Sequence, residues 1–347
     1  MPTAEAEAAE PLADDEICDL LEPFSEQRKI LLAVSGGSDS FGMLAAFARW
    51  RSLDDTAPAI LVASVDHGLR PEAARECARV MDAAARFGLP AAILKWEGEK
   101  PASGLQEAAR EARYRLLADH ARVVDAAAVA TAHHREDQAE TVLMRLLRGS
   151  GPLGLKGMAA TGERHGVAIL RPFLWLPKAR LAATAAAAGL EPVDDPSNAD
   201  DRFTRVRIRR LMPLLAAEGL DAQRLAILAG RMRMLDEALA HQVGGLMDRC
   251  RRPSIVPGTA VMDGSGWLDE PFAVIQQLLS RVLGEVAPEG ARERLEAVEG
   301  LAGAVLMAIA GGEALRQTLQ GGLVSVTADG RVIVAREPPR QSSRIPD

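Results

Sequence analysis

The chain has 347 residues, 48% hydrophobic and 26% charged, with a formal net charge of −7. This is a soluble globular composition with enough apolar surface for a sizeable core, and the length favours two domains; wholesale disorder, collagen-like and coiled-coil character are excluded. Three cysteines, Cys18, Cys77 and Cys250, stand far apart with no CxxC pair, which argues against a disulfide framework, a zinc ribbon or a cysteine-held cluster and for a reducing compartment. The N-terminus has no basic segment followed by an apolar stretch. No apolar run approaches the roughly 20 residues of a membrane helix. The expectation is a cytoplasmic protein with no membrane contact.

Residues 1–27 carry nine acids and no base, so the rest of the chain sums to +2 and local patches decide what it attracts. The leader reads as a flexible, solvated segment. From Arg28 the pattern changes. Lys29 to Val34 is a short apolar run stopped by Ser35-Gly36-Gly37-Ser38, as suits a strand buried on both faces. Asp39 to Trp50 has helical spacing in Phe41, Leu44, Ala45, Phe47 and Ala48. Ile60 to Val65 reads as a second strand ending at Asp66-His67-Gly68, 71–87 as a helix, and Ala91 to Trp96 as a third strand. A helix over 104–121, a strand from Ala126 to Ala130 and a helix from Glu136 to Leu147 follow, stopped by Gly149-Ser150-Gly151-Pro152. Such alternation means a parallel sheet with helices on both faces, whose ligands sit beyond the carboxyl ends of the strands. Ser35–Ser40, Asp66-His67 and His133-His134 all fall at such ends.

Residues 153–200 are looser and include the turn-rich Asp194-Asp195-Pro196-Ser197-Asn198. A helix is expected over 203–217, kinked or split by Pro213. The remainder reads as a smaller, mainly helical unit, with helices over 222–248 and 271–311. It closes on a β-hairpin in which Leu323–Thr327 and Val332–Ala335 flank Asp329-Gly330. The expected division is a leader at 1–27, a catalytic domain at 28–217, a C-terminal domain at 218–337 and a frayed tail at 338–347.

Ser35-Gly36-Gly37-Ser38-Asp39-Ser40 carries the most chemical information. Glycines let the backbone turn tightly and approach a phosphate, and the amides of the following helix start point at the anion. Asp39 is an acid among donors, which suits a Mg²⁺ carried by the phosphates. No Gly-Lys-Ser/Thr is present, so this is not a Walker loop and γ-phosphoryl transfer is not implied. A Ser/Gly capping turn without a ligand is the plain alternative.

SGGSDS after a strand resembles the PP-loop of the ATP pyrophosphatase superfamily, enzymes that cleave ATP between the α- and β-phosphates and adenylate a substrate oxygen. Further segments resemble the tRNA(Ile)-lysidine synthetases within it. These are Val65 to Arg70, Gly104 to Tyr114, Ala132 to Thr141, Arg148 to Leu155, Arg171-Pro172 and Asp194 to Asn198. The resemblance runs over about residues 28–215 and is faint in the C-terminal third. It departs from the family in Glu136, where an Asp is usual, and in Val206, where an Asn is usual. The chain is also shorter than the longest members, so a second C-terminal tRNA-binding domain is expected to be missing.

The resemblance implies a PP-loop fold of the adenine nucleotide alpha hydrolase type, ATP and Mg²⁺ as cofactors, and two partners. These are free L-lysine and the CAU-anticodon isoleucine tRNA; a homodimer stays open. ATP is expected at Ser35, Gly36, Gly37, Ser38, Asp39, Ser40, Asp66 and His67, with Asp39 near Mg²⁺. Lysine is expected at His134, Asp137 and Glu140, spaced i, i+3 and i+6 on one side of a helix start. Arg113 is the candidate for charge at the α-phosphate. Asp39, Arg113 and Asp137 form the expected catalytic set. His133-His134 with Asp137 is read against a metal site, because adjacent histidines on a helix point different ways.

Arg202, Arg205, Arg207, Arg209 and Arg210 place five guanidiniums within nine residues. They read either as a solvated helix face or, for Arg205, Arg207 and Arg209, as contacts to the tRNA backbone. Two other functions stand beside lysidine synthesis. One is a PP-loop tRNA thiolase, disfavoured because Cys77 stands alone. The other is a non-catalytic tRNA- or nucleotide-binding protein with a decayed loop, disfavoured by the intact SGGSDS.

Overall fold

The computed structural model describes residues 10–69, 72–101, 103–193, 204–287 and 295–338. The turn-rich Asp194–Asn198, Arg70, Arg202 and the tail beyond 338 lie outside them. The chain divides into two compact units, Met1–Gly149 with Gly154–Gly230, and Ser150–Leu153 with Arg231–Asp347.

In the first unit the helices and strands alternate as β1 (Lys29–Ala33), α2 (Ser38–Leu53), β2 (Ala59–Asp66), α3 (Ala73–Arg86), β3 (Ala91–Lys95), α4 (Leu105–Val123), β4 (Ala128–Ala130) and α5 (Arg135–Leu147), after a helix α1 (Asp14–Leu21). The sheet order is β3-β2-β1-β4-β6-β5, where β5 is Thr161–Arg164 and β6 is Val167–Leu170. All pairs are parallel except the antiparallel edge pair β5–β6. Successive strand residues point to opposite faces, which explains the unbroken apolar run of β1. Ile30 and Leu32 face α2 and its neighbours, while Leu31 joins Leu117, Ala118 and Ala121 of α4 on the other side. Chain order reverses about β1, between β2 and β4, so the loops leaving β1 and β4 open a crevice there.

Helix α2 is buried nearly all round, from Ser40 to Phe47 and at Trp50. Helix α6 (Lys178–Ala187) lies against it so closely that a Cβ on Gly42 would collide with the Leu181 carbonyl oxygen. Only glycine permits that approach.

Three expectations about this unit need correction. Within the leader, residues 10–27 are structured and not merely solvated, because Leu12, Ile17, Leu21 and Phe24 bury in the core. Two of its acids pair with arginines of the body, Asp14 with Arg49 and Glu16 with Arg180. Second, α7 (Thr204–Ala217) is not split at Pro213. The proline lies on the exposed side, where water can serve the carbonyl that loses its donor. Third, the looser stretch contains the β5–β6 hairpin, turned by His165 and Gly166 at φ +51° and +71°.

The second unit contains most of α8 (Ala222–Cys250), then β7 (Arg251–Arg252), β8 (Thr259–Asp263), α9 (Phe272–Val286), α10 (Leu295–Gly311), β9 (Leu315–Leu319), β10 (Gly322–Val326) and β11 (Arg331–Arg336). The expected closing hairpin is present as β10–β11, but it is the centre of a five-stranded antiparallel sheet of order β7-β8-β11-β10-β9. Val324, Val326, Val332 and Val334 pack with Leu278, Leu279, Val282 and Val305 of α9 and α10. The unit therefore has the expected helices, and they cover a sheet of which the hairpin is only one part. No helix among the described residues is long and apolar enough to cross a membrane.

Candidate active site

The loop after β1 turns at Gly36, whose φ of +89° demands glycine. Ser40 is buried and braces the loop: its hydroxyl donates to the Gly37 carbonyl at 2.9 Å and accepts from the amides of Ser35 and Gly36 at 3.2 and 3.1 Å. The structure thus spends Ser40 on the loop's own shape. The first-turn amides of α2, at Ser38 and Asp39, are the donors that a helix leaves unbonded at its start.

Across the crevice, α5 presents its acids. His134 caps α5 and is 3% exposed. Burial alone would lower its pKa, but bonds to Asp39 and Glu136 and the nearby Asp137 push it up to about 9. The imidazolium Nδ1–H donates to Glu136 Oε2 at 3.0 Å, and Nε2–H lies 3.5 Å from Asp39 Oδ2 and 3.4 Å from Asp137 Oδ2. With Nδ1 protonated, the Asp137 amide 3.4 Å away is a neighbour and not a bond. Burial works to raise the Asp39 pKa, but His134 and Lys178 (Nζ at 3.7 Å) together hold it below the usual carboxylate range. An ionised, partly buried carboxylate beside the loop fits a magnesium ion, which takes one or two carboxylates plus phosphate oxygens.

Glu136 explains the longer side chain at this position. Its Oε2 reaches both His134 and the backbone N–H of Lys178, the first residue of α6, at 2.9 Å. Glu140 is 2% exposed and is held by Arg209, with Nε donating to Oε1 at 2.5 Å and Nη2 to Oε2 at 3.4 Å. Burial outweighs that partner and leaves the Glu140 pKa raised. Arg209 Nη2 also lies 3.8 Å from Asp137 Oδ1. Arg209, one of the expected tRNA contacts, is therefore engaged within the site, whereas Arg207 is exposed and bonds Thr204. A cavity of about 390 Å³ adjoins this network, with His134, Glu136, Glu140, Lys178 and Arg209 on its polar side and Met212, Pro213, Ala216 and Ala222 on its apolar side.

Asp39, His134, Asp137, Glu140 and Arg209 thus come together, while other expected residues lie apart from that network. His67 is half-buried, and burial, with Arg113 next, lowers its pKa; its Nδ1 has no partner and its ring meets Trp96 edge-on at 6.0 Å. Asp66 Oδ1 accepts the Gly68 amide at 2.8 Å and shapes its own turn. Arg113 sits 5.3 Å from the Tyr114 ring. His133 is the electrostatic opposite of His134. Burial, then Arg171, Arg113, Arg110 and Arg205, hold its pKa well below normal, and Nδ1–H donates to Thr131 Oγ1 at 2.8 Å. Sequence reasoning missed Lys178, although Pro177-Lys178 is a helix-start signal. It also missed the inward pairing of Arg209.

The raised His134 pKa gives stability that is fully present below about pH 6.5 and is lost as pH rises through about 9. The shift corresponds to at most about 3 kcal/mol. Thermal unfolding in metal-free buffer should show the wild type weakening from pH 6.5 to 9.5 and His134→Gln weakening much less. Equal slopes would contradict the clamp.

A family profile described as a PP-loop domain matches residues 9–215. The chain is 49% identical to the tRNA(Ile)-lysidine synthase of Methylobacterium nodulans over 343 residues, covering 97% of this chain and 99% of that one. The chain belongs to the tRNA(Ile)-lysidine synthase family. A second synthase, from Methylobacterium sp. strain 4-46, is 47% identical with 98% and 99% coverage. Among solved structures, the U34-tRNA thiolase NcsA of Methanococcus maripaludis, determined with its [4Fe-4S] cluster, aligns with a TM-score of 0.55 at 15% identity. It covers 64% of this chain and 78% of that one, a likeness of fold alone. The network just described lies at the strand ends beside the PP-loop, within the residues that the profile matches.

Proposed function

We infer that the protein joins lysine to C2 of the wobble cytidine of the CAU-anticodon isoleucine tRNA at the expense of ATP. In the first substitution the C2 oxygen attacks the α-phosphorus and pyrophosphate leaves. In the second the ε-amine of free lysine attacks C2, and the former C2 oxygen departs with AMP. The observation that carries this reading is the juxtaposition of Asp39, at the phosphate loop, with Asp137 and an amphipathic cavity, all joined through His134.

The first-turn amides of α2 and the Ser38 hydroxyl receive the pyrophosphate end of ATP, and Asp39 would hold Mg²⁺, which neutralises phosphate charge when bound. His67, neutral and with a free Nδ1, is suited to the adenosine. Arg113 serves the charge at the α-phosphate. Lysine has an apolar stem with charged ends, which matches the cavity's apolar wall and its mixed polar side. His134 is a cation, so it organises the acids and does not itself attract the ammonium.

Asp137 is the acid best placed to act on the amine. Glu136 and Glu140 are taken by partners at 3.0 and 2.5 Å, whereas the partners of Asp137 stand 3.3 to 3.8 Å away. It can hold the ammonium and receive a proton as the C–N bond forms and the nitrogen turns acidic. The thiolase alternative has weaker support. The Cys77 thiol is buried, accepts the Ser64 hydroxyl at 3.4 Å and is pushed up in pKa by burial, the reverse of an activated nucleophile.

The deciding experiment incubates the protein with Mg-ATP, labelled lysine and an isoleucine tRNA bearing CAU, with the CAU methionine tRNA as control. Label on the cytidine of the first alone, surviving mild alkali, is the expected result. Pyrophosphate release without label would overturn the choice of lysine.

A further inference from the structure

Outside the carboxylate network, four arginines gather round one buried tyrosine. The guanidinium carbons of Arg110 and Arg113 on α4 and of Arg164 on β5 lie 5.3, 5.3 and 5.7 Å from the Tyr114 ring centre. Arg171 completes the group from the end of β6, with Nη1 donating to the Ala159 carbonyl at 2.8 Å. None of the four is paired with a carboxylate among the described residues; the adjacent Glu111 is taken by His165 at 3.0 Å. Tyr114 Oη and Arg171 Nε are both buried, and the Arg171 guanidinium interacts with the Tyr114 side chain and not with an acid. Four like charges without a counter-ion repel one another. The arrangement persists because the aromatic ring and packing hold the guanidiniums, leaving their forks open to an anion.

The anion is an extended one. Arg164 belongs to an edge strand whose four residues are all exposed, and Arg110 lies in the early turns of α4. The patch is therefore open to solvent and contains more charge than one phosphate needs. It borders the active site through Thr131, whose hydroxyl lies 2.8 Å from His133 Nδ1 and 3.3 Å from the carbonyl oxygen of Leu170, the residue before Arg171. The pyrophosphate of ATP is already provided for by the α2 amides and Asp39.

We propose that Arg110, Arg164 and Arg171 form the docking surface for the phosphodiester backbone of the anticodon loop, seating the phosphates that flank the target cytidine while Arg113 faces the reacting centre. This rests on tRNA being the substrate. Phosphate contacts of this kind position a nucleic acid without reading its sequence, and each adds to the salt dependence of binding.

The test uses the full chain with Arg110→Glu, Arg164→Glu and Arg164→Lys, and measures binding of the whole tRNA, an isolated anticodon stem-loop and ATP. Each reversal should weaken both RNAs by roughly five- to tenfold at moderate salt and lower the slope of log affinity on log salt by about 0.7–0.9. Arg164→Lys should stay within about threefold of wild type, because charge is kept. ATP affinity without RNA should not change. Unchanged RNA binding by a folded Arg164→Glu protein would overturn the proposal, as would a fall in ATP affinity with RNA binding intact. Loss for whole tRNA but not for the stem-loop would overturn the assignment to the anticodon arm. A wild-type protein that binds no tRNA would instead sink the functional reading. If Arg110→Glu fails to fold, the exposed edge-strand variants decide the matter.

Discussion

Asp137→Asn is expected to lower the rate of lysine transfer by roughly a hundred- to a thousandfold, the range for removing a general base. ATP affinity and adenylation should be nearly unaffected. Asparagine preserves the size and the acceptor toward the His134 amide, but it can neither balance an ammonium nor take its proton. Adenylated tRNA should therefore accumulate and be trapped by quenching before lysine is consumed. Asp137→Glu, which keeps the charge, should recover part of the rate. A variant with wild-type lysine kinetics would move the role to Glu140, which Arg209 now engages at 2.5 Å.

Gly42→Ala should be among the most destabilising single changes in the first unit. An alanine normally improves a helix interior by about 1 kcal/mol over glycine. Here the added methyl meets the Leu181 backbone, colliding with the carbonyl oxygen and lying 2.8 Å from the carbonyl carbon and 2.9 Å from Cα. Backbone cannot swing aside as a side-chain tip can, so α2 and α6 must separate. Overpacking of this kind costs about 3 kcal/mol or more and exceeds the propensity gain. The melting temperature should fall by roughly 5–10 °C. Because α6 carries Lys178 toward Asp39, the ATP KM should rise as well. A stable variant with normal ATP use would show that the two helices can part freely.

Much of this was legible in the residues. The strand–turn–helix setting of SGGSDS placed the phosphate loop, and the apolar run of β1 announced a strand buried on both faces. His134, Asp137 and Glu140 were picked out by helical spacing and family motif, and they do share one side of α5. What the sequence concealed was pairing across elements. Nothing local says that Arg209 turns toward Glu140 while Arg207 faces solvent, because a run of arginines looks the same on either side of a helix. Short strands such as β7, β8 and β9 have too few residues to show a period. The acidic composition of the leader hid the few apolar residues, Ile17 and Leu21 among them, that anchor it. The β5–β6 hairpin turns on His165-Gly166, where the glycine is the single residue that marks a turn and no Asn-Gly or Asp-Gly pair announces it.

The N-terminal helix has a practical consequence for dissecting the enzyme. The Leu12 amide donates to Thr184 Oγ1 at 2.9 Å, Arg180 bonds the carbonyls of Glu10 and Pro11, and its guanidinium also grips Glu16, so the segment from Glu10 to Glu16 is tied to α6. Helix α6 in turn presents Lys178 to the phosphate loop. A truncated fragment begun at Arg28, where the strand pattern starts, would remove these bonds from α6 and take Leu12, Ile17 and Leu21 out of the core. The smallest autonomous catalytic fragment has to include Glu10. Affinity tags, protease sites and fusion joints belong ahead of that residue, because an alteration within the segment from Glu10 to Glu16 would be transmitted through α6 to Lys178 beside Asp39.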